Sequence, residues 1–258
     1  MKPRTEELLY LLLWSAEQLI YPRFCFLDES FESWAYRNGF LRELARLEKQ
    51  RLVERGASNE RIYRLTGQGR ICALGGRDPQ AEWSRAWDGR WRLVCFDVPT
   101  TENNQRRRLR RYLRKKGFGY LQNSIWITPD VLNEENRLIG SMKADVESLI
   151  LLEARACGGE SDSDVVGGAW DFRTINRLYQ RHLKILKQRP AGKINTQAQA
   201  VALRRWAEAE RVAWRNAVTG DPLLPKRLLP PGYLGQEAWR RRTHVLARAR
   251  RDRDSFKL

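Results

Sequence analysis

The chain has 258 residues, 42% of them hydrophobic, which is enough for two or three domains with packed cores and disfavours wholesale disorder. Its formal net charge of +17 predicts a polyanionic partner: nucleic acid first, an anionic membrane surface or a phosphate-rich small ligand next. The four cysteines lie far apart without CxxC spacing, which disfavours a zinc site or a disulfide framework and favours a reducing cytoplasm. The apolar run at residues 8–14 is too short to cross a membrane and predicts a buried helix.

The N-terminal part of the chain has the periodicity of three helices. Residues 5–20 predict the first helix and residues 29–37 a short second one, which the turn signal Asn38-Gly39 follows. Residues 40–53 predict a third helix that is amphipathic. Its apolar face carries Phe40, Leu44 and Leu47, and its opposite face carries Arg42, Arg46 and Lys49.

A β-hairpin is predicted after the third helix, because residues 52–55 and 60–66 flank the polar turn 56–59. Three helices and a hairpin make a winged helix-turn-helix, which we assign to residues 1–78. In that fold the third helix enters the major groove and the wing contacts the backbone or the minor groove. The alternative is a solvated helix surface. The side chains that we predict to bind DNA are Arg37, Arg42, Arg46, Lys49, Arg51, Arg61, Tyr63 and Arg64.

The middle part of the chain, residues 79–168, predicts a ferredoxin-like domain. Its elements in order are a strand at 91–96, a basic amphipathic helix at 103–116, a strand at 120–127, a helix at 132–144 and a strand at 146–156. We interpret the acidic segment 158–168 as a polar loop, since it lacks the twelfth-position glutamate of a calcium-binding EF-hand. Residues 169–258 predict an α-helical domain, with helices at 170–188, 196–218 and 236–251. The fold class is therefore α+β and multidomain.

Three motifs resemble the PaaX family, repressors of phenylacetate catabolic operons. Residues 91–129 contain W-R-L-V-x-F-D-V-P, an Arg-rich helix and G-F-G-x-L-Q-x-S-I-W-I-x-P. Residues 63–69 give Y-R-L-T-x-x-G, and residues 221–225 give D-P-x-L-P. The resemblance implies a homodimer that binds double-stranded operator DNA and is released by an aryl-acetyl-CoA effector such as phenylacetyl-CoA. It implies that residues 169–258 serve effector binding or dimerisation, with the effector bound in this C-terminal part or between domains. It implies no cofactor and does not identify the residues of the effector pocket.

Asp97 is the alternative candidate for catalysis. The middle domain of the PaaX family is similar to the ferredoxin-like nuclease of CRISPR adaptation systems, in which the matching aspartate coordinates a divalent metal across a dimer interface. The interpretation that we favour is that Asp97 caps a turn or pairs with an arginine, because no second acidic cluster or base is evident. His182 and His244 are isolated in the sequence, so nucleophilic catalysis has little support. We therefore predict no catalytic residue and no metal.

The basic helix of the middle domain is open to three interpretations, since eight of residues 106–116 are Lys or Arg. Its cations could contact the phosphates of DNA flanking the operator, form salt bridges to the acidic region 130–170 or to a partner chain, or bind the phosphates of an acyl-CoA. We favour a structural or interface role, with DNA-backbone contact second. The sequence as a whole predicts a cytoplasmic, dimeric repressor, and the alternatives are a metal-dependent nuclease and a sequence-tolerant nucleic-acid-binding scaffold.

Overall fold

A computed structural model describes residues 5, 8, 9, 12, 39–56, 59–74, 76–97, 103–122, 124–132, 148–190 and 196–254. The chain divides into two compact units, neither of which is continuous in sequence. The first unit contains Met1–Asp78, Tyr179–Asn216 and Gly235–Leu258, and the second contains Pro79–Leu178 and Ala217–Leu234. The predicted α+β, multidomain class is confirmed.

The described N-terminal part of the first unit contains a helix followed by a hairpin, while most of the predicted helix at 5–20 and all of that at 29–37 lie outside the described residues. Helix α1 (Leu41–Lys49) leads into an antiparallel pair of strands, β1 (Val53–Gly56) and β2 (Asn59–Leu65), and the short helix α2 (Gly67–Ala73) follows. The apolar side chains of α1 lie three residues apart on one face and are buried there. This core contains Leu8, Leu9, Leu12, Phe40, Leu44, Leu47, Leu52, Val53 and Tyr63.

The chain turns sharply between α1 and β1. Arg51 has a left-handed φ of 55°, so α1 ends at Lys49 and not at the predicted residue 53. The Thr66 hydroxyl donates to the Arg51 carbonyl at 2.8 Å and accepts from the Gly69 amide at 3.0 Å, which caps α2. A Cβ atom at Gly69 would lie 1.9 Å from the Leu52 carbonyl oxygen, so this close approach requires glycine.

The second unit is built on a four-stranded antiparallel sheet. Its strands are β3 (Trp91–Asp97), β4 (Gly119–Gln122), β5 (Ile125–Thr128) and β6 (Ser148–Ala154), and they lie in the order β4-β5-β3-β6. Helix α3 (Pro79–Ser84) precedes β3, and helix α4 (Asn103–Lys115) crosses from β3 to β4. This strand order with a helical crossover is the arrangement of a ferredoxin-like sheet. Most of the predicted helix at 132–144 lies outside the described residues.

One face of the sheet is covered by α4. Val94, Phe96 and Trp126 pack there against Leu109 and Leu113 of the helix. These positions alternate along β3 with less buried residues on the opposite face, which is the two-residue period of a strand. Because Leu109 and Leu113 are one turn apart, the remaining faces of α4 are left for its charged side chains.

The opposite face of the sheet is partly covered by helix α5 (Asp162–Ala169), where we predicted a polar loop; that prediction was wrong. Ser161 caps the helix: its hydroxyl accepts from the Asp164 amide at 3.3 Å, and the Asp164 carboxylate accepts from the Ser161 amide at 2.8 Å. The Ser161 hydroxyl also donates to the Asp164 carboxylate at 2.6 Å, and this bond, with the one from the Ser161 amide, holds the pKa of Asp164 below its usual range. The acidic residues that suggested a loop thus lie in the first turn of a helix, where the helix dipole favours them.

The C-terminal third contains three helices at the predicted places. They are α6 (Phe172–Lys187), α7 (Gln197–Gly220) and α8 (Gly235–Asp254), with a short 3-10 turn at Lys226–Leu228. In the parts of these three helices that belong to the first unit, the core is formed by Leu186, Trp206 and Leu246. Among the described residues, no helix is both long enough and apolar enough to span a membrane.

Candidate nucleic-acid interface

Helix α1 presents a cationic surface opposite its buried face. Arg42 and Lys49 are exposed, whereas Leu44 and Leu47 are 2% and 0% exposed. Within the described part of the chain, neither cation has a hydrogen-bond or ion-pair partner. Both side chains are therefore available to phosphates or base edges, which is the role predicted for them.

Arg46 lies on the same helix but is held by an intramolecular contact. Its Nη1 donates to Thr5 Oγ1 at 3.0 Å, and the side chain is half-buried. Thr5 itself is fully buried. A guanidinium has five N–H donors, so this single bond fixes the direction of the side chain and leaves other donors for an external acceptor.

The other predicted DNA-binding arginines lie around the hairpin. Arg51 is exposed at the turn after α1. Arg61 and Arg64 lie on β2, and Arg64 is paired in register with Glu54 of β1. Arg37 lies outside the described residues.

Tyr63 has a different place from the one predicted for it. Its side chain is 8% exposed and belongs to the core that α1 packs on. The two-residue period of β2 places it on the same face as Leu65, which also packs against that core. We therefore correct the assignment: Tyr63 is a core residue, because a side chain buried under the hairpin is not free to contact DNA.

A second cationic surface lies on α4 of the second unit. Two of its cations stand over aromatic rings: the Arg114 guanidinium carbon is 5.7 Å from the Trp126 ring centroid, and Lys116 Nζ is 5.8 Å from that of Tyr112. The exposed cations of this helix and of the residue after it are Arg107, Arg108, Arg111, Arg114, Lys115 and Lys116. We call these six the α4 basic surface.

The acidic side chains near the sheet are paired with other arginines. Arg85 Nε lies 2.7 Å from Asp130 Oδ1, and Glu153 accepts from Arg90 at 2.8 Å and from Arg92 at 3.3 Å. Within the described ranges, the α4 basic surface makes no ion pair with the acidic region 130–170. Between described residues, the predicted salt bridges to this acidic region are therefore absent for the six cations of the α4 basic surface.

Arg92 is the buried centre of that ion-pair network. It is 5% exposed, and its Nη1 donates to Asp88 Oδ1 at 2.8 Å. The hydrogen bonds from the Arg92 guanidinium lower the pKa of Asp88 to about 2. The hydrogen bond from Arg90, with the charge of Arg92, likewise lowers the pKa of Glu153. The network thus ties the segment before β3 to β6 and is structural.

Asp97 stands at the exposed end of β3, opposite Ser148 of β6. In the part of the chain that the structure describes, no group of three or more His, Cys, Asp or Glu side chains is arranged to hold a metal ion. Asp97 therefore belongs to no three-ligand set among the described residues.

A groove of about 390 Å³ lies between α6 and α8 in the first unit. Its lining combines apolar and cationic side chains, and one of the cations, Arg241, is paired with Glu237 at 2.6 Å. Apolar surface beside several positive charges suits an anionic ligand with an apolar part. The lining residues are Leu183, Leu186, Lys187, Arg240, Arg241, His244 and Val245.

A buried charge cluster ties the same helices together. Glu210 Oε1 lies 3.0 Å from His182 Nε2 and 2.7 Å from Arg242 Nε, and all three side chains are at most 2% exposed. The Arg242 guanidinium also lies 4.9 Å from the Trp214 ring centroid. Local sequence patterns do not reveal this cluster, because its members are far apart in the chain. The available signal was a glutamate on the helix face that also carries Trp206 and Trp214.

Two family comparisons cover most of the second and third predicted domains. Residues 84–166 match the PaaX protein central Cas2-like domain, and residues 170–255 match the PaaX-like protein C-terminal domain. The chain belongs to the PaaX family. PaaX proteins are transcriptional regulators, and regulators of this family bind DNA. The α4 basic surface, the groove and the buried charge cluster all lie within the matched PaaX regions.

A solved structure supports the fold of this PaaX-family chain over a longer range. The uncharacterised protein Rv0674 from Mycobacterium tuberculosis is similar with a TM-score of 0.56 and 23% sequence identity, over 84% of this chain and 83% of that one. At this identity the likeness concerns the fold alone. No curated protein matches the chain significantly.

Proposed function

We propose that this PaaX-family regulator is a homodimeric repressor that binds a palindromic operator through an N-terminal winged helix-turn-helix. The observation that carries the proposal is the exposed cationic face of α1, which the hairpin β1–β2 follows directly. A helix of this kind needs only a few side chains to reach base edges, and a dimer doubles the number of phosphate contacts.

The roles of the individual side chains follow from their positions. Arg42 and Lys49 enter the major groove with Arg46, which its bond to Thr5 orients. Arg61 and Arg64 of the wing contact the backbone or the minor groove. The flanking Arg37 and Arg51 contact phosphates.

The domain assignment belongs to the same proposal. Residues 1–78 bind DNA, residues 79–168 form the ferredoxin-like middle domain, and residues 169–258 bind the effector and support dimerisation. The protein acts in the cytoplasm.

The effector is an aryl-acetyl-CoA thioester such as phenylacetyl-CoA. The groove between α6 and α8 supports this assignment, because its cations suit the phosphates of coenzyme A and its leucines suit an apolar acyl group. To release the DNA, the thioester must bind the DNA-incompetent form more tightly than the competent form, since equal affinity for both shifts nothing.

The test is a binding titration of the full chain against duplex DNA from upstream of its own gene and against a scrambled duplex, with and without phenylacetyl-CoA. We expect selective binding to the first duplex and release by the thioester. Equal affinity for both duplexes would contradict the repressor, and selective binding that the thioester leaves unchanged would contradict the effector. Adding magnesium to the same samples tests the nuclease alternative, because cleavage that Asp97→Asn abolishes would assign catalysis to Asp97.

A further inference from the structure

The α4 basic surface is denser in positive charge than a solvated helix requires. Eight of residues 106–116 are Lys or Arg, and α4 has no acidic residue in its first turn. Cations four residues apart, such as Arg107 and Arg111, repel each other and weaken the helix. In the described ranges, Asp130 and Glu153 pair with other arginines and not with the six cations of the α4 basic surface.

The helix that carries this surface is firmly seated. Leu109 and Leu113 are 2% and 0% exposed in the core of the sheet. The stacking of Arg114 on Trp126 further limits the freedom of the cationic side chain. The backbone positions that carry the charges are therefore fixed before any ligand arrives, which lowers the entropy lost on binding.

The surface suits a phosphate backbone better than unpaired bases or a membrane. Single strands stack successive bases on several exposed aromatic rings. Here Trp126 is fully buried beneath Arg114, and among the described residues the exposed ring packed against it is Tyr120 alone. Insertion into a membrane surface needs an exposed apolar face, whereas Leu109 and Leu113 are buried. A helix of 13 residues is about 20 Å long. Because duplex DNA carries one charge per roughly 1.7 Å of its axis, a helix of this length spans several phosphates.

We propose that the α4 basic surface binds the phosphate backbone of duplex DNA without regard to sequence. This inference goes beyond the proposed function, because it assigns DNA contact to a surface outside the winged helix and does not depend on an operator or an effector. Such a contact adds affinity and salt dependence but no sequence preference.

The test measures the binding of the full chain to a duplex of arbitrary sequence by fluorescence anisotropy over a range of salt concentrations. The triple variant Arg107→Gln, Arg108→Gln, Arg111→Gln removes three exposed cations. We expect the slope of log K against log salt to become less negative by about 2.7 per protomer, from about 0.9 for each phosphate contact. A slope equal to that of the wild type would overturn the proposal.

Two further variants separate this result from a change in folding or in total charge. Replacing Arg107, Arg108 and Arg111 by Lys keeps the charge and should keep the slope. The variant Arg173→Gln, Lys184→Gln, Arg205→Gln removes three exposed cations from α6 and α7, and its slope should also stay at the wild-type value. If the slope of this control variant became less negative by as much as that of the α4 Gln variant, the effect would come from net charge and the proposal would be overturned.

The same samples distinguish this inference from the proposed function. The ratio of operator to scrambled affinity should survive in the α4 Gln variant. A ratio near one in the wild type would remove the proposed function and leave this inference standing. A preserved ratio with an unchanged slope would remove this inference alone. A single-stranded RNA is the last comparison. The proposal would be overturned, and the surface assigned to RNA, if the wild type bound this RNA more tightly than duplex DNA and the α4 Gln variant lost only the RNA binding.

Discussion

Glu210 and Arg242 form a buried ion pair, with Glu210 Oε1 2.7 Å from Arg242 Nε and side chains 0% and 2% exposed. His182 shares the same carboxylate oxygen at 3.0 Å. One oxygen therefore connects α6, α7 and α8, and α6 and α8 are the two walls of the candidate effector groove. A buried charge network of this kind fixes one arrangement of the helices, because every alternative leaves a charge without its partner.

The buried pair predicts a large loss of stability when one partner is removed. Glu210→Gln removes the carboxylate that pairs with the buried Arg242 guanidinium, which we expect to destabilise the first unit by about 3–5 kcal/mol. Urea unfolding followed by tryptophan fluorescence measures this, since Trp214 lies against the cluster. The matched control is Glu208→Gln on the exposed side of α7, for which we expect a change within about 0.5 kcal/mol. Equal stability of the two variants would contradict the assignment.

Two glycines of α2 provide a second matched pair. A Cβ at Gly69 meets the Leu52 carbonyl oxygen at 1.9 Å, whereas a Cβ at Gly67 meets nothing within 4 Å. Gly69→Ala should therefore destabilise the N-terminal core by about 1–3 kcal/mol or more and weaken DNA binding through it. Gly67→Ala should be neutral or slightly stabilising. Thermal unfolding of both variants checks this prediction, and equal melting temperatures would refute it.

The ion-pair network of Arg92 predicts a loss of stability in acid. The pKa of Asp88 is lowered to about 2 in the folded chain. The ionised carboxylate therefore adds to the free energy of unfolding above the unfolded pKa of about 4, and this stabilisation is lost as the pH falls through 2. Glu153, whose pKa is also lowered, acts in the same direction. Asp88→Asn should therefore reduce stability at pH 7. Below pH 4, its unfolding free energy should depend less steeply on pH than that of the wild type. Parallel curves of unfolding free energy against pH, recorded between pH 7 and 2, would count against this role.

The candidate effector groove predicts a selective loss of induction. Arg240→Glu reverses an exposed charge on the groove wall and should raise the phenylacetyl-CoA concentration needed for DNA release by about tenfold, equivalent to about 1.4 kcal/mol. Operator affinity without thioester should remain unchanged. The control is Lys184→Glu, an exposed residue of α6 that does not line the groove and should leave induction unaffected. The same loss of induction in both variants would contradict a specific site.

The sequence predicted the helices and strands best where hydrophobic periodicity was strong. The spacing of Leu44 and Leu47 identified α1, and that of Leu109 and Leu113 identified α4. It failed where a local backbone interaction decided the structure. Arg51 adopts a left-handed conformation that ends α1 early, and the Ser161 capping box turns a polar segment into α5.

The candidate site was only partly predictable for a related reason. Exposure of Arg42 follows from helical periodicity, but the bond between Arg46 and Thr5 joins residues 41 positions apart and has no local signal. Tyr63 was predicted to bind DNA as a residue of the wing, whereas strand alternation puts it in the core. The His182 and Glu210 contact is likewise tertiary, so an isolated histidine in the sequence became part of a buried cluster.

The central claim, that α1 recognises an operator, is tested most directly by one comparison of specificity. We compare three proteins at one fixed salt concentration: the wild type, the double α1 variant Arg42→Ala with Lys49→Ala, and the charge-matched double control Arg173→Ala with Lys184→Ala. For each protein, the affinity for the operator and for a scrambled duplex is measured. We predict that the wild type prefers the operator by at least about 10³-fold. The α1 variant should lose about 1–3 kcal/mol of that preference for each base contact removed, and the control none. An operator preference that survives unchanged in the α1 variant would contradict the account.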